Sequence, residues 1–219
     1  PEVRAGEAIK YFNVSTMPEA FSAAGSGYIA ASKEIKILSP QNPYGRAYLS
    51  FNTESQHFAV SKNYPNNDKA PQKNPFTNDF VVINDTMYFA QLDKDYLDAF
   101  SFPNNDFLDL YTILPAQYSG NPCLAKTNDD AYIFVLGGID EQSPPRLMNT
   151  FFIYNVSSKS FLRQRGPSLP ANMHNFGCLV ASDDYLYIIG GERMPNASEP
   201  DNTVSSKHIY SLYVANLSE

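Results

Sequence analysis

An all-β fold assembled from a repeating unit is what this sequence predicts, on three observations. The first is a passage written twice. Tyr132–Leu136 runs into the doublet Gly137-Gly138, and Tyr185–Ile189 runs into Gly190-Gly191, a repeat of roughly fifty residues. Each run follows an Asp pair, Asp129-Asp130 and Asp183-Asp184, and before that a Cys-Leu step, Cys123-Leu124 and Cys178-Leu179. The second is composition: 15 Phe, 15 Tyr and 16 Pro, in short apolar runs split by Asn-, Asp-, Ser- and Pro-rich stretches, which is how strands and turns alternate. The third is an aromatic pair that recurs at one fixed interval, Phe51 with Phe58, Phe100 with Phe107 and Tyr154 with Phe161.

The fuller copy justifies each element. Residues 123–126 read as a short strand, 127–130 as a turn, and 131–136 as a second strand closed by the doublet. Glycine has no Cβ, so the doublet can take positive φ and admit another backbone at close range. A polar, proline-containing loop follows at 139–149, then a third strand at 150–154. Asn155-Val-Ser-Ser-Lys159 reads as a turn, because Asn and Ser bond their own backbone. A fourth strand at 160–163 leads to the exit Gly166-Pro-Ser-Leu-Pro170. Four short antiparallel strands per repeat describe one blade of a β-propeller. A β-sandwich, which also has strands at regular spacing, is the alternative.

These residues resemble the kelch family of β-propellers, related to the central domain of galactose oxidase. The resemblance rests on the apolar strand Tyr132–Leu136, Gly137 and Gly138, then Tyr154, Phe161 and the exit Leu169-Pro170, with Gly190 and Gly191 repeating the doublet. Phe161 stands where that family usually has Trp, and the chain has no Trp. Upstream, Thr86–Ala90 is followed by Gln91-Leu92 instead of the doublet. The strands at 28–31 and 34–38 also lack it. About four blades result: 21–65, 78–116, 121–170, and 176–219, the last without its fourth strand. Residues 1–20, with Tyr11-Phe12-Asn13-Val-Ser15, read as a lead-in strand of a preceding or closing blade. The family closes with more blades than this, so the chain is expected to be part of a larger propeller, its circle completed by further chain or by another polypeptide. The opening residue Pro1 points the same way.

Composition excludes several functions. A formal charge of −7 leaves no basic footprint for nucleic acid or an anionic membrane, and no apolar run is long enough to cross a bilayer as a helix. Five sequons, at Asn13, Asn84, Asn155, Asn196 and Asn216, accept N-glycans only in the secretory pathway. The expected location is extracellular or lumenal, with a cytoplasmic adaptor as the alternative. Cys123 and Cys178 occupy what look like equivalent points of successive repeats. Such points usually lie beyond the ~7 Å that a disulfide can span, so two buried free thiols are expected.

No catalytic constellation is visible. His57, His174 and His208 have no second ligand at metal spacing, no Gly-x-Ser-x-Gly elbow occurs, and the Asp pairs sit in turns. No metal and no cofactor are expected. What remains is surface. The loops at 139–149 and 192–207 vary most between repeats and carry Asp140, Glu141, Arg146, Glu192 and Arg193. The resemblance implies that partners bind on that face. The expected function is a non-enzymatic module for protein interaction or structural assembly, whose partners are proteins or the remaining blades. The alternative is the propeller domain of a larger carbohydrate-active or oxidase enzyme.

Overall fold

The computed structural model describes residues 25–29, 32–38, 48–60, 80–91, 96–116, 118–120, 122–140, 146–162, 166–193 and 204–215. Among these every regular element is a strand. Of the six sheets among the described residues, the four larger follow one another in chain order. The first contains β1 (Gly25–Ile29), β2 (Glu34–Leu38), β3 (Tyr48–Asn52) and β4 (His57–Val60). The second contains β5 (Val81–Ile83), β6 (Thr86–Gln91), β7 (Tyr96–Ser101) and β8 (Asp106–Ile113).

A short strand, β9 (Tyr118–Gly120), leads into the third sheet: β10 (Cys123–Lys126), β11 (Tyr132–Leu136), then β12 (Ile139–Asp140) outside it, β13 (Phe151–Asn155) and β14 (Ser160–Phe161). Another lead-in, β15 (Met173–His174), precedes the fourth: β16 (Gly177–Val180), β17 (Tyr185–Ile189), the outlying β18 (Glu192–Arg193) and β19 (Val204–Ser205), then β20 (Ile209–Tyr213). Sheets one to three are four-stranded meanders, and the fourth is β16-β17-β20.

Turn chemistry repeats with the sheets. Between the third and fourth strands the chain closes on a residue of positive φ: Gln56, Asn105 and Lys159. The Asn52 side-chain oxygen accepts the amides of Glu54 and Ser55, and that of Asn155 accepts the amide of Ser158. These side-chain bonds hold the tight turn where the backbone has no ladder partner. The recurring aromatic interval is the result. Phe51 and Phe58, Phe100 and Phe107, and Tyr154 and Phe161 are cross-strand neighbours over that hairpin, with ring centroids 4.7, 5.1 and 5.4 Å apart, a geometry that stabilises a strand pair.

The Asp pairs act in the first hairpins. Asp129 and Asp183 accept the amides two residues on, from Ala131 and Tyr185, and Asp130 and Asp184 take the positive φ.

The sheets stack face to face in sequence, and β1 lies against β5, β5 against β10, and β10 against β16. One apolar cluster joins the first two sheets through Ile29, Tyr48, Met87, Phe89 and Phe100. Another joins the second and third through Tyr88, Leu97, Ile133, Val135 and Tyr154. A third joins the third and fourth through Phe134, Leu136, Phe151, Leu186 and Ile188. The alternation of a strand puts successive side chains on opposite faces, so each inner sheet has a rear face on its predecessor and a forward face on its successor.

The expectation of two free thiols is corrected here: Cys123 and Cys178 form a disulfide, with Cα atoms 6.1 Å apart. They are not at equivalent positions. Cys123 pairs with Leu136, the residue before its glycine doublet, whereas Gly177 pairs with Ile189 before the second. Cys178 therefore matches Leu124, and one step along a strand turns a side chain to the other face. Cys123 lies on the forward face of the third sheet and Cys178 on the rear face of the fourth, so the two sulfurs meet between the sheets.

Tyr154 is fully buried between the second and third sheets, and its hydroxyl has no hydrogen-bond partner among the described residues. Burial pushes the phenol up to about 12, opposed by the neighbouring Thr112 hydroxyl and helped by Tyr88. The folded value lies above the unfolded value of ~10. The protonated phenol's contribution is therefore complete below about pH 10 and is lost as pH rises towards 12. Tyr154→Phe is expected to leave stability at pH 7 unchanged or raised by about 1 kcal/mol, since an unsatisfied group is removed, and to flatten the loss between pH 10 and 12. Urea midpoints at the two ends of that range check it.

Candidate functional site

At the end of the sheets where the second strands finish, the two glycine doublets clasp one connecting segment. Gly137 and Gly191 have φ of 58° and 85°. A Cβ on Gly137 would lie 2.5 Å from the Met173 carbonyl oxygen, and one on Gly191 would lie 2.6 Å from Phe176 Cβ and 2.8 Å from the His174 carbonyl oxygen. Only glycine admits that approach. Phe176 is thereby buried between the doublets.

The segments on either side join into one hydrogen-bonded band. β12 pairs with β9, and Ile139 bridges Leu147. The Gly138 amide donates to Met173 O (3.0 Å), the Met148 amide to Gly138 O (2.9 Å) and the Met173 amide to Met148 O (3.0 Å). β15 then pairs with β18, and β18 with β19. The passages read from sequence as free loops thus begin and end on short strands. The sequence carries no alternation long enough to mark pieces of two residues.

Four of the five residues singled out on these loops lie on the band. The Asp140 carboxylate accepts the Arg146 amide at 2.8 Å, and the Asp140 amide donates to Arg146 O at 2.9 Å, so this pair closes the intervening loop. The exposed Arg146 is held by its backbone. Glu192 Oε2 is 3.1 Å from His174 Nε2. His174 is buried, with an Nδ1 that lacks a partner among the described residues, as does the buried Nε of Arg193. Glu141 lies outside the described residues, as do the sequons at Asn13, Asn196 and Asn216. Asn84 stands in a turn and Asn155 ends β13, both at the opposite end.

That opposite end has two recesses between sheets. In one, of about 180 Å³ and lined by Asn128, Tyr132, Asp184 and Val214, the Asn128 amide donates to Ala181 O (2.8 Å) and Asp184 Oδ1 (2.7 Å) and ties the third sheet to the fourth.

The other, of about 240 Å³, lies between the first and second sheets beside Glu34, Lys36, Tyr48, Asp85 and Phe102. Lys36 Nζ donates to Glu34 Oε2 at 2.8 Å and to the Ser50 hydroxyl, and stands 5.6 Å from the Tyr48 ring centroid. Sequence reading missed this cluster. The alternation Glu34-Ile-Lys-Ile does place both charges on one face, but nothing in it tells a solvent face from one covered by the next sheet. The Lys36 hydrogen bond lowers the Glu34 carboxyl, against a smaller effect of burial. The carboxylate's contribution is present above its unfolded value near 4.5 and is lost as pH falls through the depressed folded value.

Glu34→Gln is expected to cost about 1–2 kcal/mol, because it strands a largely buried ammonium. The double change Glu34→Gln with Lys36→Met should recover most of that. Denaturant midpoints of the three variants form the check.

Among the described residues no group of three His, Cys, Asp or Glu could hold a metal ion. No family model matches the chain, and no curated protein matches its sequence. The fold is shared more widely, by 264 chains of solved structures. One of them, YjhT, superposes with a TM-score of 0.60 over 94% of this chain and 69% of its own, at 12% identity. At that identity the likeness is one of fold alone: an all-β chain of successive antiparallel sheets.

Proposed function

We propose that this chain is a propeller of kelch-like blades that acts as a non-enzymatic interaction or assembly module outside the cell. Each four-stranded sheet is read as a blade. The contact of first strands from sheet to sheet supports a radial arrangement about an axis, since the innermost strands of a propeller are the ones that converge. One observation carries the functional reading. The band of short strands fixes Asp140, Arg146, Glu192 and Arg193 on a single end of the molecule, and binding residues are typically displayed this way on a rigid scaffold. The disulfide supports an oxidising compartment, consistent with N-glycans on Asn84 and Asn155.

Screening the folded protein against secreted proteins and cell-surface ectodomains tests this. The expected partner loses at least tenfold in affinity with Arg146→Glu or Glu192→Lys and is indifferent to Lys159→Glu at the far end. Binding unaffected by both band variants would overturn the assignment of this face. Intact mass of protein secreted from a glycosylating host, with sugar on Asn84 or Asn155, is the companion measurement for location.

A further inference from the structure

The forward face of the first sheet departs from the pattern of its own repeat. Lys36 pairs with Ser50, the residue before the hairpin aromatic Phe51. In the second and third sheets that place holds Tyr88, opposite Ala99, and Phe134, opposite Ile153. Both rings belong to the core, at 8% and 0% exposed. The first sheet puts an ammonium there, on a side chain 11% exposed, and a serine where the others have an apolar residue. An ion pair so placed costs desolvation that a packed ring does not. A break of this kind in an otherwise consistent pattern is expected where a fold serves a function.

The recess of about 240 Å³ between the first and second sheets opens beside this ammonium. Its walls supply two kinds of contact. Tyr48 and Phe102 are aromatic, with ring centroids 5.2 Å apart. Lys36, Glu34 and Asp85 are charged. The ammonium gives two of its donors to Glu34 and Ser50, and the third remains for a ligand. The carboxylates are acceptors only.

We infer that this recess binds a small neutral polyhydroxyl compound, one sugar ring in size. A carboxylate or phosphate would meet Glu34 and Asp85, and an amine would meet Lys36, each against a like charge. A hydroxyl avoids both conflicts. It accepts from Lys36 and donates to a carboxylate in charge-assisted bonds, while neighbouring C–H groups contact the rings. The recess is smaller than the roughly 300 Å³ at which drug-sized pockets begin, which limits the ligand to one ring. Asp140, Arg146, Glu192 and Arg193 stand at the other end of the molecule, so this site is independent of the interaction face proposed above.

Saturation-transfer NMR on the folded 219-residue chain tests the inference. The probes are methyl glucoside, methyl galactoside and methyl mannoside, with acetate and methylammonium as charged comparisons. At least one glycoside should bind saturably, and neither ion should. Asp85→Asn keeps the size of a residue at φ 58°, a conformation that Asn tolerates, and should weaken binding at least tenfold. Glu34→Gln with Lys36→Met, the pair expected to retain most of the stability, should abolish it. Saturation by none of the three glycosides, preference for either ion, or binding that survives either variant would overturn the assignment.

Discussion

Reducing the disulfide, or replacing Cys178 by Ser, should lower stability by about 4 kcal/mol. The cross-link closes a loop of sequence separation 55, and the entropy denied to the unfolded chain lies between about 3 kcal/mol for a short loop and 4.7 for one of a hundred residues. In a domain of this size that is a fall in Tm of roughly 8–16 °C. The loss should be local before it is global. Without the bond the fourth sheet depends on Leu186 and Ile188 packing into the third and on the Asn128 bridge at the other end. Amide exchange in β16, β17 and β20 should accelerate ahead of exchange in β10 and β11. A midpoint that shifts by less than 1 kcal/mol in reductant would mean that inter-sheet packing alone fixes the fourth sheet.

The second large effect is expected at Gly137. Alanine there combines a left-handed backbone, which costs a Cβ-bearing residue about 1–2 kcal/mol, with a Cβ 2.5 Å from the Met173 carbonyl oxygen, a clash that backbone must move to relieve at about 1–3 kcal/mol. A total near 3–4 kcal/mol is expected. Gly190→Ala is the internal control. Its φ is also positive, at 70°, but the nearest atom to a new Cβ is Ser206 O at 3.9 Å, so it should lose only about 1 kcal/mol. Equal losses at Gly137 and Gly190 would show that backbone conformation alone sets the requirement for the doublets and that the clasp on residues 173–176 adds nothing.

Much of the strand layout is legible in the sequence, because it is written in local patterns. The short strand at 123–126, the apolar run at 132–136 and the Asn-led turn at 155–159 stand where expected, as does the paired Tyr154 and Phe161. Each depends on residues within one hairpin. What escaped depends on two sheets at once. The cysteines looked equivalent by their Cys-Leu steps. The turn before Tyr132 is longer than the turn before Tyr185, and that difference moves Cys178 by one strand position to the opposite face. The Lys36 cluster escaped for a related reason, since the partner that buries it arrives some fifty residues later in the chain. Of the loop residues, Asp140 and Arg146 were placed together because they flank one loop. The burial of His174 and of the Arg193 Nε required knowing that β15 inserts between two doublets.

The cross-link between the third and fourth sheets also determines how the protein would bear a pulling force. Tension entering through β20 and β17 reaches Cys178 and passes covalently to Cys123, so the intervening polypeptide adds nothing to the extension until the bond is reduced. A single molecule stretched by its ends should lengthen only by the chain outside Cys123 and Cys178, and reductant should release the remainder as one further step.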